Sequence, residues 1–166
     1  LLADRLAFDP HTDDAPNVYL RTAAALDLYT LAMALADEHD EVVFLMGEAF
    51  GLGVQDLAYG GLPGKPQFRA FSVVVGGRFL NDQELEATLA RLGLTRATVL
   101  YRGPFSTAIM LEHTDGKETV SGEGRHIREG VVITPVVERD DPFLGRVCLK
   151  SVSEAYLLRK GGTEYS

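Results

Sequence analysis

Three short segments set a charged side chain at the end of an apolar run, where a functional group can sit at a strand end outside a core. In residues 42–51 (VVFLMGEAFG), Glu48 follows a run of apolar side chains. Gly47 and Gly51 flank it, and glycine in a strand lets a ligand approach the backbone. In residues 129–133 (EGVVI), the carboxylate of Glu129 opens a strand that reads as buried. In residues 145–156 (GRVCLKSVSEAY), strand alternation puts Arg146, Cys148 and Lys150 on one face and Val147 and Leu149 on the other. Two cations on one strand face suit a phosphate, and two carboxylates can serve a sugar hydroxyl and a divalent cation. Each segment alone is better explained by a strand-end charge in water, so it is the set that points to chemistry.

Other patterns do not complete a site. Residues 60–66 (GGLPGKP) contain a Gly-Lys pair, but Pro66 stands where a P-loop needs Ser or Thr, and a proline there opposes the helix that must follow. Residues 47–53 (GEAFGLG) have the wrong glycine spacing for a dinucleotide fingerprint. The histidines at 11, 39, 113 and 126 are scattered, without a second ligand at metal spacing. No elbow motif surrounds Ser106, Ser121, Ser151 or Ser153. Cys148 reads as a packed strand residue and not as a nucleophile.

The elements that carry these groups are legible in outline. Residues 9–16 (DPHTDDAP) are turn chemistry, after which Asn17 can cap a long helix whose stripe is Leu20, Ala24, Leu28, Leu31 and Leu35. The polar cluster 37–41 closes it. Asn81 with Glu84 three positions on makes a capping box, Leu85, Leu89 and Leu92 follow on one helical face, and Gly93 sits at the C′ position. Runs at 42–46, 71–75, 97–101, 107–111, 131–137 and 146–149 read as strands between Gly, Pro and Asp. Two helices among about six strands, without βαβ alternation, predict an α+β fold with mainly antiparallel sheets.

Composition narrows the classes. The 166 residues are 46% hydrophobic with a net charge of −8, which suits one globular domain and opposes bulk electrostatic coating of nucleic acid. Charge is uneven: residues 1–60 hold 11 acidic and 2 basic side chains. By contrast, Arg146, Lys150, Arg159 and Lys160 face Glu154 alone across residues 144–160, leaving room for a phosphate pocket. A single cysteine excludes an internal disulfide and fits a reducing cytosol. No apolar run approaches the roughly 20 residues that span a bilayer, and no signal peptide opens the chain, so the expectation is a cytoplasmic protein without a membrane partner.

Taken in order, the segments resemble the covalent nucleotidyltransferases, and within them the ATP-dependent RNA ligases. LMGEAFGLGVQDLAYG resembles motif III, with a tail through Gln55, Asp56 and Gly60 of the RNA ligase kind; FRAFSVVV (68–75) resembles motif IIIa; EGVVI resembles motif IV; and CLKSVSEAYLLRK resembles motif V. The chain departs from the family in two ways. No KxDG-like motif I is present, since Thr114-Asp115-Gly116-Lys117 has its lysine after the Asp-Gly and reads as a hairpin turn. Residues 1–8 resemble the segment after motif I, so the expectation is most of one nucleotidyltransferase domain (residues 1–166) with its nucleophilic lysine upstream. Val152 occupies the place of a second motif V lysine, for which Arg146 or Lys160 could substitute.

The resemblance implies an RNA ligase that joins a 3′-hydroxyl to a 5′-phosphate through lysyl-AMP and RNA-adenylate. ATP and Mg²⁺ or Mn²⁺ would be cofactors, and RNA ends or nicked duplexes the partners. It further implies Lys150 at the α-phosphate with Arg146 beside it, Glu129 as metal ligand or as orienter of the lysine, Glu48 on the ribose hydroxyls, and one aromatic on adenine. Phe68 and Phe71 lie three apart in a strand and so face opposite sides; Phe68 is taken as the adenine platform and Phe71 as core. A catalytically inactive nucleotide- or RNA-binding module, or a DNA ligase or capping relative, stays open on the sequence alone.

Overall fold

The computed structural model describes residues 18–51, 67–120, 124 and 126–159. Residues 1–8, the 9–16 turn, Asn17, the tail with Gln55, Asp56 and Gly60, the 60–66 loop, Ser121 and Lys160 lie outside them.

The amphipathic stripe of the first half forms two helices, α1 (Val18–Ala25) and α2 (Leu28–His39), where the spacing predicts one. The break is Asp27, held at φ 52°, a left-handed conformation that Asp tolerates better than most residues. Its N–H donates to Ala24 O at 3.1 Å and closes α1. Strand β1 (Val43–Phe50) pairs antiparallel with β2 (Gln67–Val75), which pairs with β3 (Arg78–Phe79) through Gly76 and Gly77. Both glycines have positive φ, as a two-residue type I′ hairpin turn requires.

Helix α3 (Asp82–Arg91) is built as its sequence signals. The Glu84 carboxylate accepts the Asn81 N–H at 2.8 Å, half of the capping box. At the other end Gly93, at φ 68°, donates to Ala90 O and Leu94 N–H donates to Leu89 O, the two bonds of a Schellman motif. Leu85 and Leu89 meet Leu35 of α2 and Ala70, Val73 and Leu80 in the main core, with Val43, Leu45, Phe68 and Leu94 packed against it. One face of the β1–β2–β3 sheet is thus covered by helices.

The rest of the chain docks against this layer. Residues 95–97 bridge Ala70 of β2, but 97–101 form no strand. Residues 107–111, an expected strand, belong to helix α4 (Thr107–Thr114), capped by Ser106, whose hydroxyl accepts Ile109 N–H at 3.2 Å. Strand β4 (Gly130–Ile133) is shorter than the expected 131–137 run. Residues 146–149, expected as one strand, are divided between two sheets. β5 (Asp140–Asp141) pairs with β6 (Gly145–Arg146), and β4 pairs with β7 (Leu149–Val152). A single turn, α5 (Glu154–Leu157), follows, capped by Ser153. The three sheets among the described residues are antiparallel, so the α+β expectation holds. The two parts meet at the start of α3, where Asp82 N–H donates to Val136 O at 3.0 Å and Asn81 Oδ1 accepts Glu138 N–H at 2.8 Å.

Candidate active site

Glu48 lies exposed on β1, in the alternation that also exposes Phe44 and Met46 and turns Val43 and Leu45 toward the helices. Its carboxylate is therefore on the open face of the first sheet. Directly across in β2 is Arg69, and directly opposed residues of an antiparallel pair share a face. The Arg69 guanidinium lies 5.8 Å from the centroid of Phe50 and reaches Val120 O at 3.5 Å, tying the segment after α4 to this face.

The two phenylalanines differ in burial from what the alternation predicts. Register runs Met46↔Ser72 and then Gly47↔Ala70, so Phe71 is an extra residue in β2, a β-bulge. The bulge keeps Phe68, Ala70, Val73 and Val75 with the core despite the change in parity, and turns Phe71 out at 48% exposure. Phe68 packs against the core, and its ring fills the space a Cβ would occupy at Gly47. Gly47 thus serves internal packing and not ligand access. The expectation of Phe71 in the core is corrected, and Phe68 is anchored away from the open face that carries Glu48.

The structure brings Glu129 and Lys150 into one ladder. Lys150 pairs with Val132, and Glu129, just before β4, accepts Ser153 N–H on its carbonyl at 2.8 Å. Three residues of strand separate the two positions, about 10 Å along the ladder. Gly130 between them has φ 149°, and a Cβ there would run into Ser151 O of the paired strand. The Lys150 side chain is exposed and forms no ion pair with any described residue.

Arg146 does not join Lys150. It lies in the β5–β6 hairpin, not on β7, and its guanidinium is committed elsewhere: Glu138 accepts from Nε at 2.9 Å and from Nη2 at 2.6 Å. The ring of Phe79 lies 3.7 Å below. The Glu138 hydrogen bonds raise its pKa against the opposing effect of burial. Arg146 clamps the hairpin to β3, and the expectation of a strand face shared with Lys150 is corrected. Cys148, expected to be packed, is exposed between β6 and β7.

Away from these groups, Asp82 and Glu86 of α3 bind Arg96 and Arg102 in one network. Burial alone would raise the Asp82 pKa; hydrogen bonds from Arg96 and Arg102 outweigh it and hold the carboxyl below its ordinary value. Among the described residues no three His, Cys, Asp or Glu side chains gather as a ready metal cage, and no helix is long and apolar enough to cross a membrane.

The described residues thus hold one antiparallel sheet with an exposed glutamate on its open face and a second with an exposed lysine on the strand paired to β4, which follows Glu129. The chain belongs to the RNA ligase family, whose pattern matches residues 7–152. Solved structures of Naegleria gruberi RNA ligase share the fold. A lysine-to-alanine variant with ATP and Mn superposes with a TM-score of 0.66 at 19% identity, covering 88% of this chain and 42% of that one. A lysine-to-methionine variant with AMP and Mn gives 0.68 at 18%, covering 88% and 41%. The ligase with PPi gives 0.63 at 18%, covering 82% and 39%. The chain thus spans about two fifths of the length of these ligases. A comparison with curated proteins gives no match.

Proposed function

We propose that this chain supplies most of the adenylylating domain of an ATP-dependent RNA ligase. The observation that carries this reading is the β4–β7 ladder, with Glu129 immediately before β4 and Lys150 in β7, within a chain whose family match runs through both. In the reaction a lysine amine forms a P–N bond to the α-phosphorus of ATP and pyrophosphate departs. AMP then passes to an RNA 5′-phosphate, and a 3′-hydroxyl displaces AMP as the phosphodiester forms.

The residues present fit ATP. Lys150 offers an exposed ammonium with no counter-ion among the described residues, suited to the α-phosphate oxygens, where charge builds in the transition state. Glu48 places an exposed carboxylate, an acceptor for ribose hydroxyls, on the open face of the first sheet. Phe71, and not Phe68, is the aromatic free to stack on adenine, since it leaves the core at the bulge. Glu129 is the carboxylate placed for Mg²⁺ or Mn²⁺. One carboxylate is enough where phosphate oxygens and water complete the shell, the usual arrangement for Mg²⁺. When bound, the ion supplies neutralisation of charge on the phosphates.

The reading is tested by presenting the intact protein with ATP, Mn²⁺ and a duplex nicked in its RNA strand, and beside it the all-DNA counterpart. Sealing of the RNA nick is expected, with the DNA nick sealed more slowly. Failure on both nicks by folded protein that binds ATP supports a binding module, and preference for DNA supports the DNA ligase alternative.

A further inference from the structure

The helix missed by sequence, α4, ends in a turn that touches both strands of the candidate site. Thr114, at 4% exposure, has its Oγ1 2.7 Å from Met110 O and 2.7 Å from Ser151 Oγ. A hydroxyl carries one proton, so the three groups are satisfied when Thr114 donates to the carbonyl and Ser151 donates to Thr114. One residue on, Asp115 Oδ1 accepts from Ser153 Oγ at 2.7 Å. Ser151 and Ser153 are alternate residues, so they lie on the α4 side of β7 and Lys150 on the other.

The same turn grips the start of β4. The Arg128 guanidinium donates to His113 O at 2.6 Å, Asp115 O at 3.2 Å and Lys117 O at 2.9 Å, and its backbone N–H donates to Gly116 O at 2.9 Å. Arg128 immediately precedes Glu129. A fork bound to three carbonyls leaves this residue little freedom, and the Gly130–Ser151 approach fixes the far side.

We propose that the α4 turn, residues 114–117, registers Lys150 against Glu129, with Thr114 and Arg128 as positioning residues for adenylylation. This rests on the RNA ligase reading above. Neither residue touches the open face of β7. Thr114 acts through Ser151 on the height of β7, and Arg128 through the chain on Glu129. Misplacement by about 1 Å at a reacting group costs on the order of 10² in rate, so loss of the Thr114–Ser151 bond is expected to slow lysine adenylylation by roughly ten- to a hundredfold.

The experiment is a double-variant cycle in the intact protein, following labelled AMP onto protein in single turnover, with ATP affinity measured separately at equilibrium. Thr114→Val keeps the shape and removes the hydroxyl. The expected result is a slower rate with ATP affinity near parental, recovery in Thr114→Ser, and no further loss when Thr114→Val is added to Lys150→Ala. Non-additivity of this kind marks residues acting as one unit. Ser151→Ala removes the same bond from the other strand and must reproduce the loss; it takes the place of Thr114→Val if that variant does not fold. Rates that multiply in the double variant, or a parental rate in folded Thr114→Val, overturn the inference alone. A parental rate in Lys150→Ala removes the reading beneath it as well.

Discussion

Substituting Gly130 with alanine tests the geometry of the site through one methyl group. Gly130 has φ 149°, and an added Cβ meets Ser151 O, with Val152 Cα at 2.9 Å and Ser151 C at 3.0 Å. All three are backbone atoms of β7, so no side chain can swing aside. The unfavourable backbone conformation costs roughly 1–3 kcal/mol. Forcing strands apart in packed structure adds about 1–3 kcal/mol. At about 3 °C per kcal/mol for a domain of this size, Gly130→Ala should lower Tm by roughly 6–18 °C. Gly145 is the control. It also has positive φ, at 72°, but no atom lies within 4 Å of its added Cβ. Gly145→Ala carries the conformational cost alone, about 1–2 kcal/mol, or a few degrees. Because β7 must move, Gly130→Ala should also slow adenylylation at temperatures where the protein stays folded, and Gly145→Ala should not. Thermal unfolding with a single-turnover adenylylation assay reads both. Equal shifts in Tm and equal rates for the two variants would refute the close β4–β7 approach.

The remaining expectations concern the ligand face, the phosphate lysine and the acid limb. Phe71→Ala should weaken ATP binding by the roughly 1–3 kcal/mol of a base–aromatic stack with little change in Tm, whereas Phe68→Ala should lower Tm and leave ATP affinity nearly parental; isothermal titration and melting separate them. Lys150→Ala should slow lysine adenylylation by about 10²–10³ while ATP affinity falls far less, with partial recovery in Lys150→Arg, in single-turnover kinetics. The Asp82 pKa is held down by Arg96 and Arg102, so its contribution to stability is present above about pH 4 and is lost as pH falls through the lower folded value. Asp82→Asn should therefore flatten the decline of Tm in acid and leave the neutral-to-basic limb shaped as in the parent.

What the sequence made legible was local. The Asn81–Glu84 box and Gly93 mark α3 because caps depend on side chains within a few residues of the bonds they make. Glu48, Glu129 and Lys150 stand out in the sequence by type and place, and the structure sets Glu48 in β1, Glu129 just before β4 and Lys150 in β7. What escaped were features set across distance. Phe71 leaves the core because β2 gains a residue against β1, and FRAFSVVV carries no mark of that slip. Arg146 seemed continuous with Lys150 along RVCLK. Its partner Glu138 is instead brought in by a hairpin in which Asp141 Oδ1 accepts the N–H groups of Phe143 and Leu144. α4 was read as a strand because its short run TAIML is apolar without a helical stripe; Ser106 was the one signal for the helix. Asp27 divides the first helix because Asp accepts the left-handed conformation there, a choice that the stripe on either side does not encode.

Covalent transfer of AMP is the central step, and one measurement addresses it directly. The intact protein is incubated with ATP labelled at the α-phosphate and Mn²⁺, denatured, and tested for label on protein; a second portion receives RNA nicked with a 5′-phosphate before denaturation. The expected result is an acid-labile, alkali-stable phosphoramidate on lysine whose AMP is lost to the RNA in the second portion. ATP bound by folded protein without any protein-linked AMP, or a protein-linked label that nicked RNA does not discharge, would contradict it.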